Sequence, residues 1–588
     1  MQNARAAAPV PWIGLLIVPA AVYLAALYLF PIVQALRLSF GSASALASFV
    51  EVLTSRTTWI VFRQTFEMAI VVTACSLLVG YPIAYLLVRM SPGVQRVLVV
   101  LVLLPYWIST LVRSYAWIAI LGRKGIVNSL LIDSGLTTQP IELLYNRLGA
   151  TIGMVNVVAP MMILVLFAAF ARIDLRYTRI GAVLGGRPLF VFGRVWLPLS
   201  APGVWSGCIL VFLVSLGVFT TPAILGGSTE MSVAMAIEQQ VSTLLDLPAA
   251  AALSTLLLAV TMLMLIATQR IWIPALLGET RQQRRRAAWS IGKLFDRVEQ
   301  MMRRPHAATK LASGYWSESR SGPRKFLWLA ALIGILYLLI PVIVVIGLSF
   351  SSANYLQFPP RGLSMRWFNA FFQSPEWVGA AGRSFVVAVV TTAIVVILGT
   401  AVAYGMERGR VRYQRAHYLL LLSPLVIPPT ILAFGLYSLY ARLGWIGSLS
   451  ALALAHVVIV LPFVFITLVQ GLKTIDPLIE FAASSLGGKP AYVFRRITLP
   501  LLRPAVISGG LLAFLTSFDE LIIALFLTSP RSATLPKRMW DSVRFEIDPT
   551  NAAAATLLIG LSVLVVSVSL LVRPKRRRVA VPQEPAIA

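Results

Sequence analysis

Residues 476–490 read DPLIEFAASSLGGKP and are followed by Ile497, Leu499 and Pro500, while residues 174–188 read DLRYTRIGAVLGGRP and are followed by Val195, Leu197 and Pro198. The aspartate, both glycines, the proline and the Leu-Pro step recur 302 positions apart, and the register continues through Pro202/Pro504 and Gly207/Gly509. A run of matched offsets this long is an internal duplication. Asp174 and Asp476 stand where an N-cap satisfies the free amides of a new helix, and Pro477 takes the favoured first helical position. About ten residues later, Gly185 and Gly487 supply the left-handed residue that closes a helix, and the following proline prevents it from resuming. Each copy therefore encodes a short, well-capped helix, over 175–184 and 477–486. Two such projections related by a pseudo-twofold axis suit docking to a two-fold soluble partner.

Composition places the duplicated unit in lipid. The chain is 58% hydrophobic and 12% charged, with a mean hydropathy of +0.83 over 588 residues, which is too apolar for a soluble protein. Apolar runs long enough to cross a bilayer fall near 12–34, 67–89, 97–121, 150–171, 202–226, 249–273, 326–350, 384–406, 417–440, 452–472, 504–529 and 552–572. These are twelve spans, six in each half, of an all-α polytopic membrane protein.

Lys and Arg collect in alternate loops. Arg172, Arg176, Arg179, Arg187 and Arg194 follow the fourth span, Lys473, Lys489, Arg495, Arg496 and Arg503 follow the tenth, and Arg573 and Lys575 open a basic tail. The 227–248 loop carries Glu230, Glu238 and Asp246 without a basic residue. The positive-inside rule puts both termini and both repeated loops in the cytoplasm. The net charge of +28 is explained by this alternation rather than by nucleic-acid binding. The first apolar stretch is longer than a signal-peptide core and lacks a small-residue cleavage site, so it reads as a span.

A second check uses loop length. Around the second and third spans the repeat offset is 319, with Ala84-Tyr85 matching Ala403-Tyr404 and Leu104-Pro105 matching Ser423-Pro424. The first half must then hold 17 extra residues before its repeated loop, and the loop 122–149 exceeds 441–451 by that number. Six spans return the chain to the same side, so the repeat is parallel, unlike the inverted repeats of many secondary transporters. The domains read as a first half (1–273, with loop 172–201), a basic linker (274–325) and a second half (326–588, with loop 473–503 and the tail). Within the linker Ile291, Leu294, Phe295, Val298, Met301 and Met302 recur at helical spacing among basic residues, as in an amphipathic helix on the inner leaflet. A plain fusion linker fits the same residues. Cys75 and Cys208 lie inside spans and imply no disulfide framework, and His306, His417 and His456 are too scattered for a metal cluster.

The repeated text resembles the cytoplasmic loop of ABC importer permeases, E-A-A, three residues, G, nine residues, I-x-L-P. The match lies at Ala482, Ala483, Gly487, Ile497, Leu499 and Pro500, and at Gly185, Val195, Leu197 and Pro198. The family glutamate aligns with Phe481 and Arg179, with Glu480 one residue earlier as a substitute. Leu104-PYWISTLVRSYAW and Ser215-LGVFTTPAILGG look like the first permease of spermidine/putrescine-type importers; Ser423-PLVIPPTILAFGLY, Ser517-FDELIIALFLT and Leu535-PKRMWDSVRFEIDPT look like the second. The resemblance implies two tandem six-helix type I permease halves in a bacterial inner membrane, a transport subunit rather than an enzyme. It also implies two ATPase subunits at the coupling loops, a periplasmic solute-binding protein, and ATP and Mg on the partner chains, with no cofactor or metal in this one. No G-x-x-x-x-G-K-[ST] occurs here, so the motor belongs to another chain. The implied coupling residues are Asp174, Arg179, Gly185, Leu197, Pro198, Asp476, Glu480, Ala482, Ala483, Gly487, Leu499 and Pro500. Spermidine and putrescine are the implied cargo; amino-acid derivatives, phosphonates or ferric iron are carried by related permeases. An ion-coupled secondary transporter is the rival reading, against which the paired capped loops argue.

Asp519 and Glu520 bear on the substrate. An acid at the centre of a span costs roughly 2.5–3.5 kcal/mol on insertion scales, so an adjacent pair demands a watery path, a partner or a cation. On one helix beginning near Arg503 they lie about 24 Å along, toward the outer mouth. Their repeat partners are Gly217 and Val218, so one half alone carries the acid. A permeating polyamine fits them, and Trp107, Tyr115 and Tyr437 offer cation–π faces, as do the neighbouring Tyr106 and Trp117. Helix capping, pairing with Arg113, or interfacial packing of the aromatics fit the same residues. Pro105, Pro424, Pro428 and Pro429 are expected to bend spans three and nine.

Overall fold

The computed structural model describes residues 11–277 and 322–572, apart from 42, 107, 187, 228, 229, 356, 357, 361, 410 and 546–548. Trp107, the basic tail and the amphipathic stretch of the linker lie outside the described residues. Among these residues there is no β-strand; ten helices are long and apolar enough to cross a membrane, twelve if each of two bent pairs counts as one span. The chain is a multi-pass membrane protein of two tandem six-span halves.

Nine helices of the first half have counterparts in the second. They are α1 (Ile13–Phe40), α2 (Arg56–Leu87), α3 (Pro92–Tyr106), α4 (Thr110–Leu121), α5 (Arg147–Phe170), α6 (Arg176–Val183), α7 (Leu197–Leu216), α8 (Thr220–Leu225) and α9 (Leu247–Leu277). The second half repeats the order as α10 (Gly322–Ser349), α11 (Pro375–Arg408), α12 (Gln414–Leu422), α13 (Pro429–Leu443), α14 (Leu449–Lys473), α15 (Pro477–Ser485), α16 (Leu499–Phe518), α17 (Ile522–Leu527) and α18 (Thr550–Val572). Local chemistry repeats with them. Asn146 and Ser448, 302 residues apart, each N-cap a central helix by accepting from Gly149 N and Ala451 N. The Leu-Pro step likewise has a structural meaning. Pro198 and Pro500 lack the N–H that would return to the fourth residue back, and a wider π turn precedes each, at Phe192–Trp196 and Phe494–Thr498.

The expected bends are present, 89° between α3 and α4 and 92° between α12 and α13. One expectation is corrected. The eleventh span is not a single helix carrying Asp519 and Glu520, because α16 stops at Phe518 and α17 starts at Ile522. The fifth span breaks at the equivalent place, around Gly217. Both acids sit in non-helical backbone between the two helices.

In each half a central helix, α5 or α14, packs between α2 and α7 or between α11 and α16. The first spans cross over. Helix α1 packs against α11 and α13 of the second half, and α10 packs against α2 and α4 of the first. Each delivers a tyrosine hydroxyl to a backbone carbonyl of the other half's central helix, Tyr23 to Leu454 and Tyr337 to Ile152. The two acceptors are 302 residues apart, so the crossing is pseudo-symmetric. Close approach rests on small residues: a Cβ at Gly435 would lie 2.9 Å from the Pro31 carbonyl oxygen. Interfaces between helices in lipid favour such residues because tight packing, not hydrophobic expulsion, holds them.

Gly435→Leu is therefore expected to part α1 from α13 and lower the thermal unfolding midpoint in detergent by several degrees. Gly560→Ala, at a helical glycine with nothing within 4 Å, is expected to leave it unchanged. Equal midpoints for the two variants would refute the crossover seam.

Candidate functional site: two capped helices and a buried acidic break

The two short helices form as their sequences require. Asp174 accepts a hydrogen bond from Arg176 N and Asp476 from Leu478 N, both at 2.9 Å. Gly185 and Gly487 close the helices at φ +84° and +88°. The next glycine in each copy returns its N–H to the carbonyl five residues back, Gly186 to Gly181 and Gly488 to Ala483, both at 3.1 Å. Each helix ends on an outstanding apolar side chain at the same repeat position, Leu184 (81% exposed) and Leu486 (90% exposed). Arg179, Ala482 and Phe481 are also exposed, with Ala483 half-buried. Leu197, Pro198, Leu499 and Pro500 sit at the start of α7 and α16, where they set the turn that leads back into the membrane.

Glu480 points the other way. It is the buried residue of α15. Its Oε2 accepts from Arg408 Nε at 2.7 Å and its Oε1 from the Thr498 hydroxyl at 2.7 Å. It is thus directed into the permease rather than onto the exposed face where a family glutamate would meet a partner. Arg408, at the end of α11, was not singled out from sequence; its match to Arg89 at the 319 offset was the available signal.

The acidic break lies where the two halves meet. A Cβ on Gly217 would come within 3.2 Å of Pro428 Cα. At the equivalent point of the other pairing, Asp519 neighbours Ser109 and Arg113. Arg113 is buried and donates from Nη1 to the Asn156 carbonyl at 3.1 Å, and Asn156 Nδ2 donates to the Tyr337 carbonyl at 2.9 Å. Asp519 and Arg113 thus belong to one polar chain running between the halves. Asp519 Oδ1 is buried with no hydrogen-bond partner among the described residues.

Glu520 is committed locally. Its carboxylate accepts from Ile523 N at 2.9 Å and Ala524 N at 3.1 Å, the free amides of the first turn of α17, where the helix dipole favours an anion. His456 Nε2 stands 3.3 Å from the same carboxylate, and its Nδ1 is 2.9 Å from Ser517 Oγ. Of the aromatics, Tyr106 lies near Arg113. Tyr115 is buried in the core formed around α4, α10 and α18, and Tyr437 packs against that of α1, α11 and α14. Trp107 lies outside the described residues.

A duplicated helical membrane protein with matched, capped projections on one face and a polar break between its halves is the core of a transport permease. The family model for the binding-protein-dependent transport system inner membrane component matches residues 321–580. The putrescine transport system permease protein PotI of Escherichia coli (strain K12) is 35% identical over 236 residues, covering 39% of this chain and 84% of that protein. The spermidine/putrescine transport system permease protein PotC of Haemophilus influenzae is 31% identical over 239 residues, 41% of this chain and 93% of that one. The Escherichia coli (strain K12) permease PotB is 31% identical over 206 residues, 35% of this chain and 75% of its own length. The chain belongs to this family of ABC importer permeases, and its length accommodates two such subunits.

The local role of Glu520 yields a stability contrast. Glu520→Ala removes two helix-start acceptors and the partner of His456, at a cost of about 1–3 kcal/mol, seen as a lowered thermal midpoint in detergent. Asp519→Asn replaces an under-satisfied buried acid and is expected to leave that midpoint unchanged or raise it. A larger loss for Asp519→Asn would contradict this division of roles.

Proposed function

We propose that this chain is the two-half permease of an ATP-driven importer for polyamines, in the bacterial inner membrane. Its α6 and α15 face the cytoplasm and each receives one ATPase subunit; a periplasmic solute-binding protein delivers cargo to the opposite face. The basic loops flanking both helices support this orientation. The observation that carries the docking reading is the pair Leu184 and Leu486, two apolar tips at one repeat position on separately capped helices. Rigid projections with an apolar end fit clefts on a two-fold partner, since an anchor residue filling a pocket dominates such interfaces. ATP-driven closure of that partner draws α6 and α15 together, and the attached spans rock between inward-open and outward-open states.

The cargo assignment draws on the names of the relatives and on Asp519. A carboxylate with an unsatisfied buried oxygen, between the halves and beside a break, suits a transient counter-charge for a permeating ammonium group. Arg113, nearby, offsets the charge of the acid when no cation is present. Tyr115 and Tyr437 pack in the cores on either side.

The test is reconstitution with the ATPase subunits and the binding protein, followed by uptake of labelled spermidine and putrescine. Saturable ATP-dependent uptake, reduced at least tenfold by Asp519→Asn, is expected. ATPase coupling without amine uptake would keep the importer and remove the polyamine assignment. Leu184→Asp and Leu486→Asp are each expected to lower co-purification of the ATPase by about tenfold, a penalty of about 1.4 kcal/mol. Undiminished co-purification in both would overturn docking at these helices.

A further inference from the structure

The duplication makes the two halves directly comparable around their coupling helices, and there they differ. In the second half Arg408 joins α15 to the end of α14. Its Nε donates to Glu480 on α15 at 2.7 Å, and its Nη2 donates to the Leu472 and Ile475 carbonyls at the end of α14, at 3.2 and 3.1 Å. Thr498, in the π turn before α16, holds the other oxygen of Glu480 at 2.7 Å. The two charged side chains are 13% and 11% exposed. The acid of α15 is thereby tied to the ends of α11, α14 and α16, the three helices that make the core of that half. Charge-assisted hydrogen bonds in so sheltered a place are stronger and more directional than surface ion pairs.

The first half keeps the arginine and replaces its partners. Arg89 corresponds to Arg408, but Thr178 stands at the place of Glu480 and Trp196 at that of Thr498. Arg89 lies over the Tyr85 ring, 4.0 Å from its centroid, and 5.3 Å from that of the buried Trp196. Thr178 turns its hydroxyl to the Leu175 carbonyl of its own loop at 2.8 Å. The flanking aromatic contacts persist in both halves, as Tyr85 with Phe192 and Tyr404 with Phe494. Among the described residues no ion pair joins α6 to the spans of the first half.

We infer that Glu480, Arg408 and Thr498 are positioning residues that make α15 a clamped lever, moving as one piece with α11, α14 and α16, whereas among the described residues no such ion pair holds α6. The two halves therefore answer the motor unequally. Force applied at α15 reaches the path-lining helices through the Glu480–Arg408 pair. At α6 part of the displacement is absorbed in the loop. The inference rests on the reading that ATPase subunits dock at these helices.

The experiment uses the full chain with its ATPase subunits and binding protein in liposomes, and reads three quantities: ATPase co-purification, basal ATPase, and the stimulation of ATPase by loaded binding protein. Since Glu480 faces inward, Glu480→Gln is expected to retain the ATPase subunits and basal turnover while cutting stimulation by fivefold or more. Arg408→Gln is expected to do the same, with the double variant no worse than either single one. Thr178→Val, the matched change in the first half, is expected to alter stimulation less than twofold. Full stimulation in Glu480→Gln, equal losses at Glu480 and Thr178, or additive losses in the double variant would each overturn the clamp. If either single variant is misfolded by size exclusion, Thr498→Val, which removes one hydrogen bond and leaves the charges paired, serves in its place with an expected loss of twofold to fivefold; full stimulation there overturns the clamp. Failure of the native chain to retain any ATPase subunit would instead refute the docking reading.

Discussion

Everything in this protein depends on the exchange of first spans between the halves. In lipid there is no hydrophobic gain in bringing two apolar helices together, so association rests on close packing and on polar groups that find partners. Helices α1 and α10 meet that requirement by lying across the opposite half. Glycines let the backbones approach, and Tyr23 and Tyr337 each donate to a carbonyl of the opposite central helix. Without the crossing, each half would expose its polar break to lipid. With it, Gly217 meets Pro428 and Asp519 meets Ser109 inside a protein-lined interior.

That interior is where symmetry gives way. Duplication built two similar halves, yet a single half carries the acids. Glycine and valine in the first half become Asp519 and Glu520 in the second, and Met154 becomes His456. Glu520 accepts the amides that start α17 and lies 3.3 Å from His456 Nε2. Asp519 keeps one buried carboxylate oxygen without a hydrogen-bond partner among the described residues. The coupling helices diverge similarly: their capping is almost identical, and their attachment to the spans is not.

Much of this was legible in advance. The twelve spans followed from apolar run length, the bends in spans three and nine from Pro105, Pro428 and Pro429, and both coupling helices from Asp, Gly-Gly and Pro. These features depend on nearest neighbours along the chain, where backbone chemistry is decisive. The break after Phe518 was not read, because nothing in Ser517-Phe518-Asp519-Glu520 forbids a helix; Glu520 caps the new helix start, but the first half breaks at the same place without an acid. Nor was the direction of Glu480. It was read as a substitute for a family glutamate, and the partner that turns it inward lies 72 residues away.

The sequence by itself determined the number of spans, their repeat, the caps and the loops that carry charge, since each is written in contiguous residues through run length, proline, glycine and aspartate. Only the tertiary structure decided which acid caps a helix and which keeps an unsatisfied oxygen, which arginine holds a helix and which stacks on a ring, and how the halves interlock. Those outcomes are settled by side chains brought from distant segments into a medium that offers no water as a substitute partner.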